Sequence, residues 1–108
     1  MGTYSKFNNP SGIAYDNNRG LLYVGDRSNH LIRSVDKSTG VVSTLAGGTS
    51  AGSNNGVGTN AKFNTPIGLV YAPAFDVLYV ADFTANTIRA ISALPVTEIL
   101  CYIRLQYW

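Results

Sequence analysis

Two aspartates, Asp26 and Asp82, stand 56 residues apart, each closing a short run of β-forming residues (Leu21–Val24 with Gly25; Val77–Ala81). Carboxylates at repeated positions could ligate a metal or exchange protons. The same side chain also accepts hydrogen bonds from backbone N–H groups in the turn that follows it. Recurrence in both places favours the structural role, because a catalytic acid is needed only once. His30 is the one histidine among 108 residues, which excludes a multi-histidine metal site within the chain and any His-bridged triad with more than this base. Its counterpart 56 residues on is Asn86, so His30 reads as a turn or strand-end residue. Arg33 and Arg89 also recur; they could line a basic face for RNA, but a repeated Arg on a strand is more often a solvated or ion-paired structural residue. Cys101, the single cysteine, lies in an apolar stretch and reads as a small hydrophobe. Gly56-Val57-Gly58-Thr59-Asn60-Ala61 matches the dinucleotide pattern G-x-G-x-x-G/A, but that pattern binds a pyrophosphate only between a strand and a helix. Here Pro66 and a strand follow. No catalytic residue, metal ligand or cofactor is therefore expected.

What positions these residues is a repeat. Residues 2–36 fall on 58–92 without a gap, and 14 of the 35 pairs are identical, from Gly2/Gly58 and Phe7/Phe63 through Pro10/Pro66, Gly12/Gly68, Tyr23/Tyr79 and Asp26/Asp82 to Arg33/Arg89. A repeat of this kind marks stacked units that bury their faces against one another. Within the first unit, Gly12–Tyr15, Leu21–Val24, Leu31–Val35 and Val41–Ala46 read as strands. They are separated by Asp16-Asn17-Asn18-Arg19-Gly20, by the polar Arg27–His30 and by Asp36-Lys37-Ser38-Thr39-Gly40. Four short strands joined by tight turns form an antiparallel meander, the unit of a propeller blade. The expected fold is thus all-β: two four-stranded antiparallel blades, a partial β-propeller. Residues 1–46 form the first blade, 47–62 a link rich in Gly, Ser and Asn, and 63–92 the second blade. The divergent tail 93–108 falls where the second blade needs its fourth strand, with Ile99–Ile103 able to pair there. The link lacks apolar material to order itself by packing, and its length points to function or mobility. Tyr15, Tyr23, Tyr71 and Tyr79 recur and are assigned to blade packing.

Bulk composition narrows the function classes. The chain is 45% apolar and 13% charged, with a net charge of +2 and no basic run longer than one residue, which argues against nucleic acid as partner. No apolar run approaches the roughly 20 residues of a membrane span, and Met1–Lys6 has no apolar h-region, so neither a membrane anchor nor a signal peptide is expected. One cysteine permits no intrachain disulfide.

Phe7-Asn8-Asn9-Pro10-Ser11-Gly12-Ile13-Ala14-Tyr15, then Leu22-Tyr23-Val24-Gly25-Asp26 and Asn29-His30-Leu31-Ile32-Arg33, resembles an NHL repeat, with the Asn-His-Leu tripeptide at 29–31. The second copy keeps Pro66, Gly68, Leu78-Tyr79-Val80-Ala81-Asp82 and Ile88-Arg89, but carries Ala85-Asn86-Thr87 in place of the tripeptide. The resemblance implies β-propellers, often of six blades, that serve as protein-interaction, RNA-binding or sensor modules, with metal-dependent lyases and lactonases among their relatives. Two repeats then imply part of a ring: a piece of a larger propeller, or a two-blade subunit that completes its ring by self-association.

The function expected is a non-catalytic scaffold binding an unidentified protein or small ligand. A fragment of a metal-dependent lyase or lactonase is the alternative, and an RNA-binding module a further one. The binding surface is expected where the copies differ at one end of the blades: Arg27, Asn29 and His30 in the first, Phe83 and Asn86 in the second.

Overall fold

The protein is described by a computed structural model covering residues 6–48, 50–92 and 100–103. The short β-rich runs form strands because they alternate between faces and are bounded by turn residues. β1 (Pro10–Asp16), β2 (Leu21–Asp26), β3 (Leu31–Asp36) and β4 (Val42–Ala46) make one antiparallel meander in chain order. A second sheet follows, built from β5 (Gly56–Val57), β6 (Pro66–Ala72), β7 (Val77–Asp82), β8 (Thr87–Ser92) and β9 (Leu100–Ile103), in the order β5-β9-β8-β7-β6. The helical turns among the described residues are two 3-10 turns, Arg27–Asn29 and Gly58–Asn60.

The repeat extends to the register. Pro10 pairs with Asp26 and Gly12 with Gly25, skipping a residue; Pro66 pairs with Asp82 and Gly68 with Ala81, with the same irregularity. The left-handed backbone positions also recur at the same spacing: Asn9 and Thr65, Gly20 and Asp76, His30 and Asn86. Each unit therefore stores the same local kinks, which reset the strand direction at the same three points.

The fourth strands break this symmetry. β3 sets Arg33 opposite Thr44, so a 56-residue shift would put Leu100 opposite Arg89; Ile103 stands there instead. The connection before β9 is longer than the Gly-ended hairpin of the first unit, so the pairing slides along β8. The second sheet also has a fifth strand that sequence reading did not foresee, because β5 comes from the link and pairs with β9.

Apart from Ala61, which is buried in the core, the link is held largely by polar contacts. Gly52 N–H donates to the Phe63 carbonyl, Lys62 N–H to that of Asn54, and Gly47 N–H to that of Gly58. A glycine-rich segment can follow such a path because its backbone groups are unobstructed.

The two sheets pack inner edge to inner edge, β1 beside β6. The core between and beneath them contains Tyr23, Ile32, Ala46, Ala61, Phe63, Leu78, Val80 and Ile91. The backbones approach most closely at Gly12, where a Cβ would lie 2.2 Å from the carbonyl oxygen of Ile67. No side chain fits there, and the obstacle is backbone that cannot swing aside. Gly12→Ala is expected to force the blades apart, costing about 1–3 kcal/mol and lowering the melting temperature by roughly 5–15 °C. Thermal unfolding followed by circular dichroism measures this.

Candidate functional site

At one end of each blade the second strand stops at an aspartate that is fully buried. Asp26 Oδ1 accepts the backbone N–H of Asn8 at 2.8 Å, and Asp82 Oδ1 accepts that of Asn64 at the same distance. The donors are thus in the segment entering the first strand, not in the following turn as the sequence suggested. An Asx-turn is local, whereas this bond spans 18 residues and ties the blade's entry to its second strand.

The second carboxylate oxygen holds the repeated arginine of the third strand. Arg33 Nη1 lies 3.0 Å from Asp26 Oδ2, and Arg89 Nη1 lies 3.1 Å from Asp82 Oδ2. Arg89 is completely buried, donates further to the carbonyls of Lys62 and Asn54 and to the Asn55 side chain, and stacks 4.6 Å from the centre of the Phe63 ring. Arg33 repeats the stacking on Phe7 at 5.4 Å. Of the two readings of these arginines, ion pairing applies; the solvated one does not. Burial pushes the Asp82 carboxyl above its ordinary value, against the Asn64 N–H and the Arg89 charge, which pull it down.

Beyond each aspartate the chain turns over. Asn29 donates its amide to Asp26 Oδ2 and to the Lys6 carbonyl, so it is part of the turn's framework. His30 sits in the left-handed region with φ 59°, and its Nδ1 accepts the N–H of Thr65 at 3.4 Å, bridging the two blades. Arg27 is exposed, as are Asn86 and Phe83, the latter at 61%. Phe83 and Asn86 are brought together on a shallow open groove of about 230 Å³, with Ile67, Ala81, Thr87 and Ile88.

A second polar cluster lies toward the other turns, and sequence reading missed it. Arg19 Nη1 contacts Asp16 Oδ2 at 2.7 Å and Asp76 Oδ1 at 2.8 Å, while its Nη2 contacts Asp76 Oδ2 at 2.7 Å. Tyr23 donates to Asp16 at 2.6 Å, and Tyr71 donates to Asp76. The cluster latches blade one to blade two. Burial works against the Asp16 carboxylate, but the bonds from Tyr23 and Arg19 outweigh it and hold the group below its ordinary pKa. The Arg19 bond does the same for Asp76. Burial and the Asp16 bond push the Tyr23 hydroxyl upward. The available signal was an acid and a base in the first turn that the second copy lacks, since Ala72 and Phe75 stand where Asp16 and Arg19 would recur. Tyr23 and Tyr71, read as packing residues, also carry these bonds.

Stacked meanders with a buried aspartate at each second-strand end define a segment of β-propeller. A family model for the NHL repeat matches residues 7–33. The human NHL repeat-containing protein 2 is 36% identical over 107 residues, covering 89% of this chain. The chloroplastic protein SUPPRESSOR OF QUENCHING 1 of Arabidopsis thaliana is 37% identical over 78 residues, covering 69%. A solved structure, a structural genomics protein of unknown function from Bacteroides thetaiotaomicron, superimposes with a TM-score of 0.70 at 24% identity, over 89% of this chain and 22% of that one. The chain belongs to the NHL-repeat family. It spans 14% of the human relative and 7% of the Arabidopsis one.

Asp82→Ala, which leaves the Arg89 guanidinium buried without its carboxylate, is expected to cost about 3–5 kcal/mol in urea unfolding. The latch should make stability acid-sensitive. Asp16 and Asp76 have lowered folded pKa values, so their contribution is full above the ordinary carboxylate range and is lost as pH falls through the folded values. Asp82 acts in the opposite sense, its contribution falling as pH rises toward its raised value. Unfolding free energies measured from about pH 2 to 7 are expected to decline on the acid side, and Asp76→Asn should shrink that decline.

Proposed function

We propose that this NHL-type propeller segment is a non-catalytic binding scaffold whose contact surface is the turn tips at residues 27–30 and 83–86. The observation that carries this reading is where the chemistry-bearing side chains are spent. Asp16, Asp26, Asp76 and Asp82 are each ion-paired within or between blades. Among the described residues, no three His, Cys, Asp or Glu side chains gather as a metal site. Among the side chains the turn tips leave exposed are Arg27 and Phe83, equivalent positions with different chemistry. Arg and aromatic side chains are the types that anchor protein interfaces.

The test pans a random peptide-display library against the purified chain and measures metal content alongside. Selected peptides are expected to bind with affinities that fall at least about tenfold in Phe83→Ala or Arg27→Ala, while the melting temperature stays unchanged. Stoichiometric bound zinc or calcium would overturn the reading in favour of a metal-dependent enzyme, and peptides indifferent to both substitutions would remove the turn tips from it.

A further inference from the structure

We propose that the open side of the second blade receives the open side of the first blade of another copy of this chain, head to tail. The joint between the two blades is the template, because each side of it has an equivalent elsewhere on the molecule that no other described element covers.

Gly68 carries the argument. It is the counterpart of Gly12, whose missing side chain lets the Ile67 carbonyl come within 2.2 Å of where a Cβ would stand. At Gly68, among the described residues, a Cβ would meet only the Ala81 methyl, at 3.6 Å, an ordinary contact, and the backbone there is not left-handed. Nothing among the described residues of one copy requires glycine at this position. A docked blade would require it, since the carbonyl of Ser11, the counterpart of Ile67, would then lie over Gly68 as Ile67 lies over Gly12.

Exposure follows the same pairing. On the side of blade two that faces blade one, Phe63 is fully buried and Leu69 and Tyr71 are partly buried. Their counterparts on the open side of blade one are Phe7, Ile13 and Tyr15, exposed by 36%, 62% and 44%. The opposing surface is equally bare: Val70 is 63% and Phe75 74% exposed, and open grooves run between Gly68, Tyr79, Ala81 and Ile88.

The polar latch changes in concert. Asp16, Arg19 and Asp76 join blade one to blade two. At the joint between copies their places are taken by Ala72, Phe75 and Gly20. All three charges are absent together, so docking buries no unpaired ion, and Phe75 meets Tyr15 where Arg19 meets Tyr71. His30, which accepts the Thr65 N–H, is replaced by Asn86, whose side-chain carbonyl can accept that of Asn9. One methyl is added, at Ala81 in place of Gly25. It faces the end of Ile13 and the Pro10 carbonyl, and needs a shift of a few tenths of an ångström. Arg27 stays exposed beside a docked blade, so its equivalent Phe83 keeps its tip free for the binding role above.

Such a contact uses different patches on the two copies, so it propagates into a ring or a filament and cannot close as a two-fold dimer. Light scattering on the purified chain at about 0.1 mM is expected to read a multiple of 11.6 kDa. Gly68→Ala blocks one side and Ile13→Asp the other. Each should weaken association at least about tenfold while folding normally by circular dichroism. An equal mixture of the two variants has one intact pair of faces and should form a one-to-one dimer. A monomeric wild-type chain, a Gly68→Ala chain that associates like the wild type, or a mixture that stays monomeric would each overturn the proposal.

Discussion

A fully buried carboxylate at the end of the second strand is the interaction around which each blade is arranged. A charge removed from water is tolerable only when it is paired and its remaining lone pairs are satisfied. Asp82 meets that demand with the Asn64 N–H on one oxygen and Arg89 on the other. Those two partners are the entry to the blade's first strand and the middle of its third, so satisfying one charge aligns three strands. Arg89 then becomes a buried cation, and its two Nη groups donate further to Lys62, Asn54 and Asn55. The glycine-rich link is thereby drawn into a defined path although it has little apolar surface of its own.

The same unit stands twice, and the joint between the two copies depends on a different constraint. At Gly12 two backbones approach more closely than any side chain allows. That proximity lets Arg19 reach across to Asp76 and Tyr71, and brings the rings of Tyr23 and Tyr71 to 5.9 Å. The glycine that permits the close approach recurs as Gly68, while the charged latch does not recur. The two ends of the molecule therefore differ in chemistry although they share a shape.

This division bears on function. The aspartate and arginine that recur in each unit are occupied in holding strands together. The turn tips vary between the copies, with Arg27 and Phe83 at equivalent positions of the repeat. On the scaffold reading proposed above, such a frame can change what it touches without disturbing its own packing.

The blade pattern was legible in the residues because it is written twice in a period of two. Strands β1–β3 and β6–β8, the turns between them and the recurrence of Asp26/Asp82 and Arg33/Arg89 all follow from alternation, turn composition and the 56-residue shift. Of the surface expected from the sequence, Arg27, Phe83 and Asn86 are exposed, while Asn29 and His30 are engaged in the framework. The latch was not legible, because Arg19 meets Tyr71 and Asp76 across 52 and 57 residues of chain, and Asp16, Arg19 and Asp76 do not recur. By itself the sequence determined a repeated antiparallel unit, since local patterning fixes which faces of a strand are apolar. Tertiary structure alone decided the donors to each aspartate, the register of β9 and the path of the link, because those are settled by which distant backbone groups a buried charge can reach.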